Sequence, residues 1–169
     1  MRLDAEFFSR DCLEAAPELV GKLLVRAMPD GSELRLRITE TEAYRGESDT
    51  ACHAHRGRTP RTEVMYGPPG TLYVYLCYGI HWMLNIVTSD AEVPQAILLR
   101  GCDTAEGPGR LTKKMHIDGT LNRGSIFGDE LWVEDDGFRG EIVRDRRIGI
   151  GYASKADQDR LWRFSLRKD

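Results

Sequence analysis

The stretch Leu34-Arg-Leu-Arg-Ile38-Thr-Glu40-Thr-Glu42-Ala-Tyr44 alternates apolar and polar side chains through its first six positions. Period-2 alternation marks an extended strand with one buried face. Carried forward, the period puts Leu34, Leu36, Ile38, Glu40, Glu42 and Tyr44 on one face of a single regular strand. The apolar half of that face belongs to a core, so its continuation aims two carboxylates and an aromatic ring inward or into a cleft. Burying a carboxylate is costly unless it is paired or its pKa rises, and a general base beside a cleft is one reason to bury one. The other reading is a strand leaving the core, its acids solvated or paired with Arg35, Arg37 or Arg45. Pattern alone favours that second reading.

Upstream, Lys22-Leu-Leu-Val-Arg26 reads as a strand, and Pro29-Asp-Gly-Ser32 as the turn that makes a hairpin with 34–44. Residues 11–20 begin a short helix that Pro17 is expected to interrupt or bend. Downstream, residues 45–70 are rich in Gly, Pro, Arg and Asp, and a loop of that length is more often functional than incidental. Strands are expected at Thr71–Cys77, Trp82–Thr88 and Ala96–Arg100, and a helix from Gly107-Pro108 to Met115. Short strands follow at Leu131–Val133, Glu141–Val143, Ile148–Ile150 and Leu161–Leu166. The expected architecture is one α+β domain over residues 1–169, with a mainly antiparallel sheet flanked by short helices.

The chain has 169 residues, 41% hydrophobic and 30% charged, enough for a real core. No apolar run reaches the roughly 18 residues of a membrane span, and the start, Met-Arg-Leu-Asp-Ala-Glu-Phe-Phe, does not read as a signal peptide. Cys12, Cys52, Cys77 and Cys102 are scattered, which suits a reducing cytoplasm and no disulfide framework. Cys52-His-Ala-His55 lacks a second cluster at ligand spacing, so no metal and no cofactor is expected. Gly149-Ile-Gly151 is not a dinucleotide fingerprint. The net charge of −3 disfavours a nucleic-acid partner overall. Only a contact face must be basic, however, and His53-Ala-His-Arg-Gly-Arg-Thr-Pro-Arg61 carries three arginines, two histidines and no acid.

Tyr73, Tyr75 and Tyr78 fall within six positions. Tyr78, at a hairpin tip beside Gly79, suits a wedge between stacked base pairs, and Tyr75 with Tyr44 suits a sandwich for a base; tyrosines are also ordinary strand residues. Asn85 is an amide among Met83 and Val87, placed either to satisfy the strand or to gate a pocket. Arg100 ends the apolar run Ala96-Ile-Leu-Leu99, where a buried strand meets a cleft or solvent.

Together these segments resemble the alkyladenine (3-methyladenine) DNA glycosylase family. The likeness rests on Ala5-Glu-Phe-Phe8, Glu40-Thr-Glu-Ala-Tyr44, Ala51-Cys-His53, Thr59-Pro-Arg61, Pro69-Gly-Thr-Leu-Tyr-Val-Tyr75 with Tyr78-Gly79, Asn85-Ile86, Leu98-Leu-Arg100, Glu106-Gly-Pro-Gly-Arg-Leu111 and Arg147-Ile-Gly-Ile-Gly151, in family order across nearly the whole chain. The resemblance implies a curved, barrel-like sheet similar to a formyltransferase C-terminal domain. It implies Glu42 as the base that deprotonates water, with Arg100 and the Ile148 carbonyl helping to hold that water. Tyr44 and Tyr75 would stack on a flipped base, His53 would donate a hydrogen bond to it, and Asn85 would exclude the guanine amine. Tyr78 would fill the gap in the DNA, while Arg61 and Met65 would lie near the backbone and opposite strand. The implied partner is double-stranded DNA carrying damaged purines, the implied enzyme a cytoplasmic (in a bacterium, nucleoid-associated) monomer. Two departures stand out. Only residues 101–105 separate Arg100 from Glu106-Gly-Pro, where family members carry a longer segment, and Ile117–Asn122 matches loosely. A damage-binding module without hydrolysis and an RNA-contacting accessory domain are the competing classes; neither explains Glu42 as well.

Overall fold

A computed structural model describes residues 1–169. Four short helices occur, α1 (Ala5–Phe8), α2 (Cys12–Leu19), α3 (Pro108–Lys114) and α4 (Lys155–Gln158). Nine strands accompany them: β1 (Leu23–Ala27), β2 (Glu33–Tyr44), β3 (Leu72–Cys77), β4 (His81–Thr88), β5 (Gln95–Cys102), β6 (Ala105–Glu106), β7 (Leu131–Glu134), β8 (Ile142–Asp145) and β9 (Arg163–Leu166). All pairings are antiparallel. The main order is β3-β4-β5-β2-β1-β7, with β6 on β5 and the β8–β9 pair on β2. The result is the expected α+β domain with a curved, mainly antiparallel sheet, which is open because β3 and β7 do not pair with each other. No helix is long and apolar enough to cross a membrane.

β2 is where the sheet turns. Its first half pairs with β1, and from Glu40 to Glu42 it lies between β5 and β9. At the changeover Ile38 pairs Cys102, Glu40 pairs Gly101 and Thr41 pairs Leu99. Thr39 on β2 and Arg100 on β5 are therefore each left without a partner. Each unpaired residue shifts the strand by one position and exchanges its faces. Before the bulge Leu34, Leu36 and Ile38 pack on the main core; after it, Ala43 does, and the Thr41 hydroxyl donates to the Ala16 carbonyl of α2 at 2.9 Å. On β5 the core side chains likewise change from Cys102 to Leu99 and Ile97. The expected uninterrupted face from Leu34 to Tyr44 is thus wrong. Glu40, Glu42 and Tyr44 sit opposite the core because the strand slips.

The main core lies between one sheet face and helices α2 and α3, filled by Phe8, Leu19, Leu84, Ile86, Leu99 and Leu111 among others. Pro17 does not interrupt α2: it falls near the C-terminal end, so only one intrahelical donor is lost, and Asp11 caps the start by accepting from the Leu13 N–H at 2.9 Å. The other sheet face is covered by residues 46–66, whose three short 3₁₀ turns pack Cys52, Ala54, Val64, Met65 and Tyr66 against Tyr73, Val87 and Ala96. This long segment is an ordered second layer. Ile148–Ile150 is not a strand but a turn, with Gly149 at φ 74°.

Candidate active site

The sheet face opposite the main core presents Tyr44 from β2, Tyr73 and Tyr75 from β3, and Asn85 from β4. Strand alternation gives this placement directly, since their neighbours Leu72, Val74, Leu84 and Ile86 are core residues. With Ala51, Cys52, His53, Met65, Ala96 and Tyr152 they line a cavity of about 320 Å³, open mouth included. Its walls are aromatic. The Tyr73 and Tyr75 rings lie 5.1 Å apart, and the His53 ring is 4.7 Å from Tyr75. His53 Nδ1 meets the Tyr73 hydroxyl at 2.8 Å, and burial, helped by Arg61, pulls its pKa down to about 4. The imidazole is therefore neutral at physiological pH, one nitrogen tied to Tyr73 and the other free to face a ligand. Asn85 is buried, its amide donating to the Tyr73 carbonyl at 3.1 Å.

Glu42 sits behind Tyr44, with a side chain wholly removed from solvent. The Tyr44 hydroxyl donates to Oε1 at 2.8 Å, and the Ile148 N–H donates to Oε2 at 2.7 Å. Arg100 Nη1 approaches Oε1 at 3.8 Å, while its Nε donates to Glu40 at 2.8 Å. Burial raises the Glu42 pKa above the ordinary glutamate value; Arg100, the Ile148 N–H and the Tyr44 hydroxyl hold the rise in check. Each carboxylate oxygen keeps a lone pair beyond the donor it already accepts, so the group can still take a proton from an incoming molecule. Burial and contact with Glu42 push the Tyr44 hydroxyl well above its usual range, which keeps it a donor.

Two walls of the site are fastened by a buried ion pair. Arg147 Nη1 and Nη2 meet Asp49 at 2.6 and 3.0 Å, and both side chains are fully buried. The same guanidinium donates to the carbonyls of Ala43 at 3.0 Å and Asp157 at 3.3 Å. It also lies 5.0 Å from the Tyr44 ring centroid. Asp49 in turn accepts from the N–H groups of Arg45 and Ala51. Arg147 thereby sets the turn whose next residue, Ile148, faces Glu42.

The structure gathers Glu42, Tyr44, Arg100 and Ile148 in one cluster and His53, Tyr75 and Asn85 in the adjoining slot. The Ile148 N–H faces Glu42 and donates to it. Met65 is buried in the slot wall, not on the surface where contact with a DNA strand would put it. The Arg61 guanidinium lies 5.0 Å from the Tyr75 ring centroid, at the slot rather than out on its own. Tyr78 stands apart and exposed at the β3–β4 tip, with φ 52°, followed by Gly79 at φ 68°. A positive φ at a tyrosine costs energy and needs a reason. Sequence reasoning missed Tyr152, Asp49, Arg147 and the pairing of Tyr73 with His53. Arg147 was hidden in the run Arg144-Asp-Arg-Arg147, and Asp49 was one acid in a long loop.

An aromatic cavity with a buried carboxylate behind one of its tyrosines is a candidate site for binding a flat ring and for acid–base chemistry. The model of the methylpurine-DNA glycosylase family matches residues 6–106 and 102–169. A protein of Desulfitobacterium hafniense (strain Y51) is 40% identical over 194 aligned positions, covering 98% of this chain and 95% of its own. One from Psychrobacter cryohalolentis is 43% identical (90% and 86% covered), and one from Methanocella arvoryzae 42% (96% and 90%). Each bears the name "Putative 3-methyladenine DNA glycosylase". The chain belongs to the methylpurine-DNA glycosylase family. The family match comes in two pieces that overlap at residues 102–106, the tight β5–β6 connection.

Proposed function

We infer that this chain is a monofunctional DNA glycosylase that flips alkylated or deaminated purines from duplex DNA and hydrolyses their N-glycosidic bond. The substrate class is that of 3-methyladenine, 7-methylguanine, hypoxanthine and ethenoadenine. The observation that carries the reading is Glu42: a fully buried carboxylate with raised pKa, tethered by two hydrogen bonds beside an aromatic slot.

The steps follow from that geometry. The target bond is reachable only outside the base stack, so the nucleotide swings out and its base enters between the tyrosine faces. Cationic purines gain roughly 0.5–2 kcal/mol from such faces. Tyr78, held proud of the hairpin, occupies the vacated place in the duplex. Glu42 accepts one proton from water as the water oxygen bonds to C1′. The C1′–N electron pair leaves with the base, and the carboxylate stabilises the oxocarbenium character that develops. A cationic alkylpurine departs neutral; hypoxanthine or ethenoadenine takes up a proton on leaving. The products are a free base and an abasic site. No lysine lines the slot or touches Glu42, so no Schiff base forms and the strand stays intact.

Duplexes containing hypoxanthine, ethenoadenine or 3-methyladenine, incubated with protein and then treated with alkali, provide the test. Breaks with the natural protein and none with Glu42→Gln are expected. Breaks before alkali refute the monofunctional assignment, and tight binding without breaks on any lesion makes the chain a damage-binding module instead.

A further inference from the structure

Glu40 has no place in the chemistry above, yet it is the residue to which Arg100 is most closely bound. Arg100 occupies the unpaired position of the β5 bulge and projects between two carboxylates of β2. Its Nε donates to Glu40 Oε1 at 2.8 Å, whereas its Nη1 stops 3.8 Å from Glu42 Oε1. The other Glu40 oxygen lies 3.5 Å from Arg163 of β9, which is itself anchored to the Arg146 carbonyl at 2.7 Å. Glu40 is thus fixed from both sides and fixes Arg100 in turn. Released from it, the guanidinium has one other carboxylate within a short swing, that of Glu42.

We propose that Glu40 is a positioning residue that holds Arg100 back from Glu42. Resting on the reading of Glu42 as the base, it goes one step further: a guanidinium seated directly on Glu42 would consume the lone pair meant for water and lower the carboxylate's proton affinity. At the held distance Arg100 still favours ionisation of a buried acid without occupying it. The other groups facing Glu42 do not compete for this role. Arg147 is committed to Asp49, the Tyr44 hydroxyl already donates to Glu42, the Tyr152 hydroxyl donates to the Ala51 carbonyl, and Arg163 reaches the site only through Glu40.

The test is the pH dependence of single-turnover excision, together with direct titration of the Glu42 carboxyl carbon by NMR. In Glu40→Gln the acidic limb and the carboxyl titration are expected to move down by about one pH unit, for an approach of about 1 Å at a protein-like dielectric. Excision on the plateau should fall at least tenfold as Arg100 takes the water's place. Glu40→Asp, which withdraws the carboxylate while keeping its charge, should shift both in the same direction by less; it serves if the Gln variant does not fold. In an Arg100→Gln background, Glu40→Gln should move both by much less, only by the direct effect of removing a nearby negative charge. A limb and titration that stay put in Glu40→Gln overturn the proposal, as does an equal shift without Arg100, which would mean a direct charge effect. Excision that survives Glu42→Gln overturns instead the reading on which the proposal rests, and the proposal with it.

Discussion

Replacing Asp49 with Ala leaves the buried Arg147 guanidinium without its hydrogen-bonded counter-charge. Both side chains are fully buried, so no water can substitute for the lost carboxylate. Removing one partner of a buried pair costs about 3–5 kcal/mol, mostly the penalty of the stranded charge. A chain of 169 residues gains about 0.35 kcal/mol/K of unfolding entropy near its melting point. The melting temperature should therefore fall by roughly 8–14 °C. Burial also shields the pair from salt, so the loss should be nearly the same at low and high ionic strength. Adding Arg147→Met removes the stranded charge and should recover part of the loss. Recovery cannot be complete, because the carbonyl of Ala43 and the N–H groups of Arg45 and Ala51 then lose the side-chain partners they have in the natural protein. Calorimetry or circular dichroism melting on the three proteins decides the matter. A drop of less than about 3 °C for Asp49→Ala, or a double variant no better than the single, would show that the pair does not fasten the two walls.

Glu42 should make the protein less stable as the pH rises. Its pKa is raised in the folded state, so between the ordinary glutamate value and that raised value the native protein binds more protons than the unfolded chain, and stability falls through this window. Glu42→Gln removes the dependence, so the melting-temperature difference, variant minus natural, should increase from acid to neutral pH; a flat difference would mean that the carboxylate is not strained by burial. Tyr78→Gly should leave the melting temperature unchanged or higher, since glycine tolerates the left-handed backbone, yet weaken binding to lesion-containing duplexes at least tenfold. Equal binding would remove the wedge. Asn85→Ser should shorten the side chain that reaches the Tyr73 carbonyl and open the slot, increasing release of undamaged guanine; no gain on guanine-containing duplexes would end its role as a gate.

The hairpin from Leu72 to Thr88 is legible because its side chains alternate without interruption and Tyr78-Gly79 marks the turn. The register that sets Tyr73 opposite Asn85, and so puts the tyrosines and Asn85 on one face, is seen only in the folded hairpin. β2 is legible as a strand but not as a bent one. Nothing in Thr39 or Arg100 distinguishes a bulged residue from a paired one, because bulging depends on the register of two strands 60 residues apart, not on either sequence alone. Ile148–Ile150 misled for a related reason. Its apolar alternation is that of a strand, but Arg147 is held by an acid 98 positions away and the Ile148 N–H is spent on a carboxylate, so no ladder can form. Met65 was given a place near DNA only by the resemblance, and its burial follows from the 3₁₀ turns that fold residues 46–66 back over the sheet.

The bulge also explains how one sheet serves two incompatible purposes. A face that packs Leu34, Leu36 and Ile38 on the core cannot carry Glu40 and Glu42 two positions further on without burying charge among aliphatic side chains. A single unpaired residue on β2 alone would turn its acids away but leave β5 out of step, with Arg100 on the core side. Two unpaired residues, one on each strand, keep the partners in phase: Ile38 and Cys102 face the core on one side of the irregularity, Ala43, Leu99 and Ile97 on the other. Glu40, Arg100 and Glu42 then emerge together on the slot side, already within ion-pairing distance. The charged cluster and the apolar core are thus consequences of the same local slip, and neither strand can lose its irregularity without driving its own charges into the core.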